Sequence, residues 1–121
     1  MGGKMSLNKG KNFEREVARM FQKIGYTEAR RQLEYHIKDA NGVDLQGTGN
    51  WRVQCKRYSE YVSVNKIFEI KDKSGIPLLI TKADNKPAMV VLPLESFLVM
   101  LEVVKRMIVL PLGARNERTE I

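Results

Sequence analysis

From Asn8 the chain reads NKGKNFEREVARMFQKIGY, with Phe13, Val17, Met20, Phe21 and Ile24 recurring at spacings of three and four. That period predicts a helix capped at Asn8 and closed by Gly25, with those five side chains toward the core. Its other side carries a basic stripe of Lys11, Arg15, Arg19 and Lys23. Residues 1–7 have paired glycines and no hydrophobic period, and are expected to form a flexible leader. After the helix, YTEARRQLEY predicts an edge strand, HIKDANG a polar turn that contains His36, VDLQG a short run and WRVQCKRY a strand. The glycines between these runs favour a hairpin. SVNKIFEIKDKSG predicts a short helix capped by Ser63 or Asn65, with Ile67, Phe68 and Lys71 on one side and Gly75 as its stop. IPLLIT and KPAMVVLPL are apolar runs of strand length separated by the turn KADN. The last helix, LESFLVMLEVVKRMIVL, is apolar round much of its circumference. Phe97, Leu101, Val104 and Ile108 suit a core, while Val99, Met100, Val103 and Met107 suggest a second buried surface, most economically a homodimer contact. Residues 113–121 are expected to form a flexible tail.

This order of elements, with no internal repeat, predicts a single α/β domain over residues 8–112: a mixed β-sheet of about five strands flanked by helices. A chain of 121 residues is long enough for one real core. Lys and Arg number 21 against 14 Asp and Glu, a net charge of +7 that favours a polyanionic partner, because each cation set against a phosphate releases a counterion. The single cysteine, Cys55, excludes an internal disulfide framework and a multi-cysteine zinc site, and points to a reducing, cytoplasmic setting. The most apolar region, residues 88–112, is broken by Glu95, Glu102, Lys105 and Arg106. It falls short of the ~18 clean apolar residues of a membrane span, so no membrane association is expected.

The candidate chemistry sits in GVDLQGTGNWRVQCKRY. In a strand, Arg52, Gln54 and Lys56 share one face and Trp51, Val53, Cys55 and Arg57 the other. With Val53 and Cys55 toward the core, Gln54 and Lys56 are expected to face outward together, beside Asp44 of the preceding arm. One divalent cation suits that arrangement: Asp44 offers a carboxylate oxygen, Gln54 an amide oxygen and Cys55 its backbone carbonyl. Lys56 would then offset charge at an attacked phosphate. The plain alternative is an ordinary half-buried strand with Asp44 as a turn residue. His36, the only histidine, argues against His-pair metal motifs and reads as a polar turn residue. The Cys55 thiol is expected to be buried packing. Tyr58, Ser59 and Tyr61 follow the lysine and are open either to phosphate contact or to solvent, while GTGN lacks the following lysine of a phosphate loop.

KGKNFEREVARMFQKIGY, then GVDL, then a strand ending in amide, any residue, lysine, resembles the PD-(D/E)xK nuclease superfamily. Order and spacing are similar to the small archaeal-type Holliday junction resolvases, whereas VQCKRY looks like the Mrr-type restriction endonucleases, in which glutamine commonly replaces the acid. The resemblance runs from Lys9 to about Ile70. It implies a restriction-endonuclease-like fold, Mg²⁺ with Mn²⁺ as a substitute, and DNA as substrate, four-way junctions first. Asp44 matches the principal metal ligand, Gln54 the second acid, Lys56 the motif lysine and Glu14 the first-helix glutamate. Lys9, Lys11, Arg15, Arg30, Arg31 and Arg57 are the implied DNA-backbone contacts. Gln54 departs from the acidic pattern and leaves three readings open: a natural glutamine subtype, compensation by a nearby acid such as Glu16, or an inactivating substitution. Competing functions are a duplex-cutting Mrr-like or repair endonuclease, a silent DNA-binding module, and a dimeric structural protein. Recombination, repair and phage DNA processing are the settings the resemblance implies.

Overall fold

The computed structural model describes residues 2–33 and 41–112. Helix α1 spans Gly2–Lys23, so it starts six residues before Asn8, which lies inside the helix and does not cap it. Phe13, Val17 and Ala18 are buried, with Phe21 packed at their margin. Met20 and Ile24, expected in the core, are 55% and 75% exposed. The apolar stripe is narrower than the period suggested because α1 meets the sheet along one ridge, and Ile24 lies beyond the helix end. There the Ile24 and Gly25 amides donate to the carbonyls of Phe21 and Gln22, and Gly25 takes φ 116°, closing the helix as expected.

The remaining elements are β1 (Arg30–Arg31), β2 (Leu45–Gln46), β3 (Trp51–Tyr58), a 3-10 helix (Val64–Glu69), β4 (Ile76–Ala83), β5 (Met89–Val91) and α2 (Leu94–Leu112). The chain is a small α/β fold, and among the described residues five strands form two sheets instead of one: β1 pairs antiparallel with β2, and the second sheet has the order β3-β4-β5. Within that second sheet β3 and β4 are parallel and β4 and β5 antiparallel, the expected mixed character. One backbone bond extends the β1–β2 pair and the next ties that pair to β3. The Gln32 amide donates to the Asp44 carbonyl at 2.9 Å and the Asp44 amide to the Val53 carbonyl at 2.7 Å. Of the edge strand expected through YTEARRQLEY, the described residues form strand at Arg30–Arg31, whereas β3 occupies WRVQCKRY in full.

Val53 and Cys55 join Leu78 and Ile80 under α1, with Phe13, Val17, Ala18 and Leu45. The other face of β3 is covered too. Gln54 is 4% exposed, so the expectation that it faces outward is corrected. A parallel β3–β4 pair needs a crossover, and here it carries the 3-10 helix and buried Ile70 over that second face. Ser63 caps the 3-10 helix by accepting the Asn65 amide, and the helix stops at Glu69, short of Gly75. Phe68 is 71% exposed and does not share a buried side with Ile67.

Helix α2 does not enter the core. Phe97, Leu101 and Val104, the stripe expected there, are exposed, as are Leu94, Leu98, Val99, Met100, Val103 and Met107. Apolar residues all round its axis give α2 no single face to turn inward. Among the described residues no helix is long and apolar enough to cross a membrane. The side chain of Ile108, the His36 turn and the 113–121 tail lie outside the described residues.

Candidate active site

Asp44 sits between β1 and β3, where its backbone bonds to Gln32 and Val53 fix the chain direction. Its Oδ2 accepts the backbone N–H of Cys55 at 2.8 Å. Burial lifts its carboxyl from the ordinary 3.8 to about 6. The charge of Glu14 adds to that rise, while the Cys55 amide, Lys56 and Arg31 work against it. Glu14, Lys56 and Arg31 therefore all lie within electrostatic reach of Asp44.

Glu14 reaches this group from α1. Its Oε1 accepts from Arg31 Nε at 2.8 Å, with both side chains under one-fifth exposed. A residue expected on the DNA backbone thus serves the carboxylates. The Cys55 thiol is buried, and burial first, then the charges of Asp44 and Glu14, push its pKa well above the ordinary range. Its side chain packs, as expected, and offers no thiolate nucleophile.

Gln54 donates from Nε2 to Glu69 Oε1 at 3.1 Å, and the same oxygen takes Lys56 Nζ at 3.1 Å. Glu69 Oε2 takes Lys66 Nζ at 3.1 Å. Hydrogen bonds from Lys56 and Lys66 hold the Glu69 carboxyl below its usual range. The opposite end of the Gln54 amide, Oε1, is buried without a hydrogen-bond partner among the described residues. Sequence reasoning missed Glu69. It lies 15 residues from Gln54, and nothing in NKIFEIK marks it as more than a surface acid.

The donor set for a cation is thus two carboxylates and an amide oxygen. Among the described residues no group of three or more His, Cys, Asp or Glu is placed to hold a metal, and Gln54 Oε1 is a further oxygen available beside the two carboxylates. An orphaned buried oxygen and a carboxylate raised by burial and a like charge fit such a donor set, since a cation would relieve both. Hard oxygen donors of this kind suit Mg²⁺ or Mn²⁺.

The basic residues divide. Arg15 and Arg30 are exposed, with Arg15 bonded to Asn12. Lys9 and Arg57 both meet Asp84, at 3.3 and 3.5 Å, beside a cleft that Asn8, Asn12 and Glu16 also line. Glu16 therefore lines that cleft, and the acid hydrogen-bonded to Gln54 is Glu69. Lys11 is partly buried. Tyr61 donates its hydroxyl to the Pro87 carbonyl, and Tyr58 and Ser59 remain exposed.

The model of the Mrr catalytic-domain family, described as restriction endonuclease, matches residues 5–73. No curated protein and no solved structure matches the chain.

Proposed function

The chain belongs to the Mrr catalytic-domain family of restriction endonucleases, within the PD-(D/E)xK superfamily, and from that premise we propose that it is a Mg²⁺-dependent DNA endonuclease. The family makes DNA the substrate and phosphodiester cleavage the reaction. The observation that carries the metal-dependent reading is the unpartnered, buried Oε1 of Gln54 on the strand whose Cys55 amide holds Asp44.

Asp44, Glu14 and Gln54 would hold the cation, with the Cys55 carbonyl as the fourth candidate ligand. When bound, it would polarise the scissile phosphate and make water a stronger nucleophile near neutral pH. Arg31, bonded to Glu14 Oε1, holds that carboxylate in place. Lys56 brings a positive charge to the same site, where it would stabilise the charge that develops on phosphate oxygens. Arg15, Arg30, Lys11, Lys9 and Arg57 would hold the backbone without reading sequence.

Four-way junctions are the substrate we favour, cut by a homodimer. What supports the dimer is α2, whose apolar side chains are exposed, as are those of Val64, Phe68, Met89 and Val90. Apolar surface of that extent on a helix unsuited to a membrane fits a second copy, and two sites related by a two-fold axis suit paired cuts in a branched substrate.

The test is incubation of end-labelled four-way junction, matched duplex and flap with Mg²⁺, Mn²⁺ or EDTA, using the parent chain, Asp44→Asn and Gln54→Glu. Symmetric, metal-dependent nicking of the junction that Asp44→Asn abolishes is the expected result. Preferential cutting of the linear duplex would favour the Mrr-like reading of substrate. Cutting by Gln54→Glu alone would mark a silenced nuclease, and junction binding without cutting by either would mark a binding module.

A further inference from the structure

A glutamine ligand has an ambiguity that an acid lacks. Half a turn of its terminal amide changes the shape little but exchanges an oxygen that binds cations for an NH₂ that cannot. Here the choice is made by Glu69. An ionised carboxylate only accepts, so the end of Gln54 that meets Glu69 Oε1 at 3.1 Å has to be Nε2. Oε1 is then left at the other end, buried and without a hydrogen-bond partner among the described residues. The same Glu69 oxygen holds Lys56 Nζ at 3.1 Å, so one carboxylate touches both polar residues of the strand motif.

The backbone holds Glu69 in place. Glu69 ends the 3-10 helix, and just beyond it the Lys71 amide donates to the Asn41 carbonyl at 2.7 Å. Gly42, at φ 83°, lies against the Glu69 carbonyl so closely that a Cβ there would overlap it. Glu69 is thereby fastened to the arm that leads into Asp44.

We propose that Glu69 is a positioning residue of the metal site: its carboxylate turns the Gln54 amide oxygen toward the cation and holds Lys56 beside it, making a neutral strand ligand workable. This rests on the metal-nuclease reading above. The acid missing from the strand is replaced by one on the crossover that acts through the glutamine.

Mn²⁺ titration of the DNA-free protein by calorimetry tests it, with junction cleavage kinetics alongside, for the parent, Glu69→Ala, Glu69→Gln, Gln54→Glu and the double variant Gln54→Glu/Glu69→Ala. Glu69→Ala is expected to weaken Mn²⁺ binding about 10- to 100-fold, as removal of a ligand-orienting partner does, and to lower kcat with KM for DNA little changed. Glu69→Gln still offers an oxygen to the Gln54 amide and is expected to recover most of the Mn²⁺ affinity. In the Gln54→Glu background the Glu69→Ala step is expected to cost less than about threefold, since a side chain with oxygen at both ends needs no turning. In the metal-free protein, the Gln54 side-chain amide resonances are expected to shift in Glu69→Ala. Equal losses in both backgrounds, or parent-like Mn²⁺ affinity in Glu69→Ala, would overturn the proposal while the nuclease reading stood. No Mn²⁺ binding and no cleavage by either the parent or Gln54→Glu would overturn both.

Discussion

Asp44 Oδ2 takes the backbone N–H of Cys55 at 2.8 Å, so the carboxylate that heads the candidate site is tied to the strand that carries Gln54 and Lys56. That bond orients Asp44 and offsets only part of the effect of its burial.

The consequence is a stability that depends on pH. Burial raises the Asp44 carboxyl from 3.8 to about 6, so the fold favours its protonated form. The contribution is fully present below pH 3.8 and is lost as pH rises through about 6, so the ionised group costs the metal-free protein about 3 kcal/mol at pH 8. Asp44→Asn is expected to melt higher than the parent at pH 8 in EDTA, with the difference shrinking toward pH 4. Equal differences at both pH values would show that burial does not strain this carboxylate.

Arg31 stands between two carboxylates, bonded to Glu14 and within reach of Asp44. Removing it leaves two neighbouring acids without that counter-charge. Arg31→Met is expected to lower stability by about 1–3 kcal/mol at pH 7, as judged by urea midpoints. The loss should be smaller at pH 4, below the raised Asp44 value of about 6, where the protonated Asp44 no longer needs the cation.

Gly42 combines a positive φ with contact against the Glu69 carbonyl. Gly42→Ala is expected to cost more than about 1 kcal/mol, because the new side chain meets both backbone strain and a clash. It should also weaken Mn²⁺ binding, whereas Gly10→Ala, in open space on α1, should leave Mn²⁺ affinity unchanged.

The exposed face of α2 makes a prediction about mass. Phe97→Glu with Leu101→Lys is expected to convert a dimer to a monomer in sedimentation, with the far-ultraviolet spectrum retained, because neither side chain packs in the core. A parent that sediments as a monomer at every concentration would remove the dimer from the reading.

DNA affinity should fall steeply with salt, and each cation that touches a phosphate adds about one unit to the log-log slope. Arg15→Gln and Arg30→Gln, on exposed arginines, are each expected to lower that slope. Arg31→Gln is expected to change it least, since that guanidinium already faces Glu14.

Local pattern carried much of this structure into the sequence. The alternation in WRVQCKRY located β3, and the spacing of Phe13 and Val17 located the buried ridge of α1. What the pattern missed came from the crossover. Period two assigns Gln54 to the face opposite Val53, but only the parallel β3–β4 pairing decides that this face is covered and that Glu69 covers part of it. The last helix misled for a related reason. A helix apolar on every side carries no direction, so its composition shows that it wants cover without showing where the core lies. Gln54 was legible as a departure from an acidic motif. Its remedy was not, because the contact to Glu69 depends on tertiary packing alone.

The parallel pairing of β3 and β4 also sets an order of events during synthesis. Glu14, Asp44, Gln54, Lys56 and Glu69 all precede Ile76, the first residue of β4, yet β4 is the strand that flanks β3 along its whole length. A nascent chain therefore contains every residue of the candidate site before any of β4 has been made. β3 gains its parallel neighbour only once β4 follows, so full cover of the strand that carries Gln54 and Lys56 waits on residues outside the candidate site.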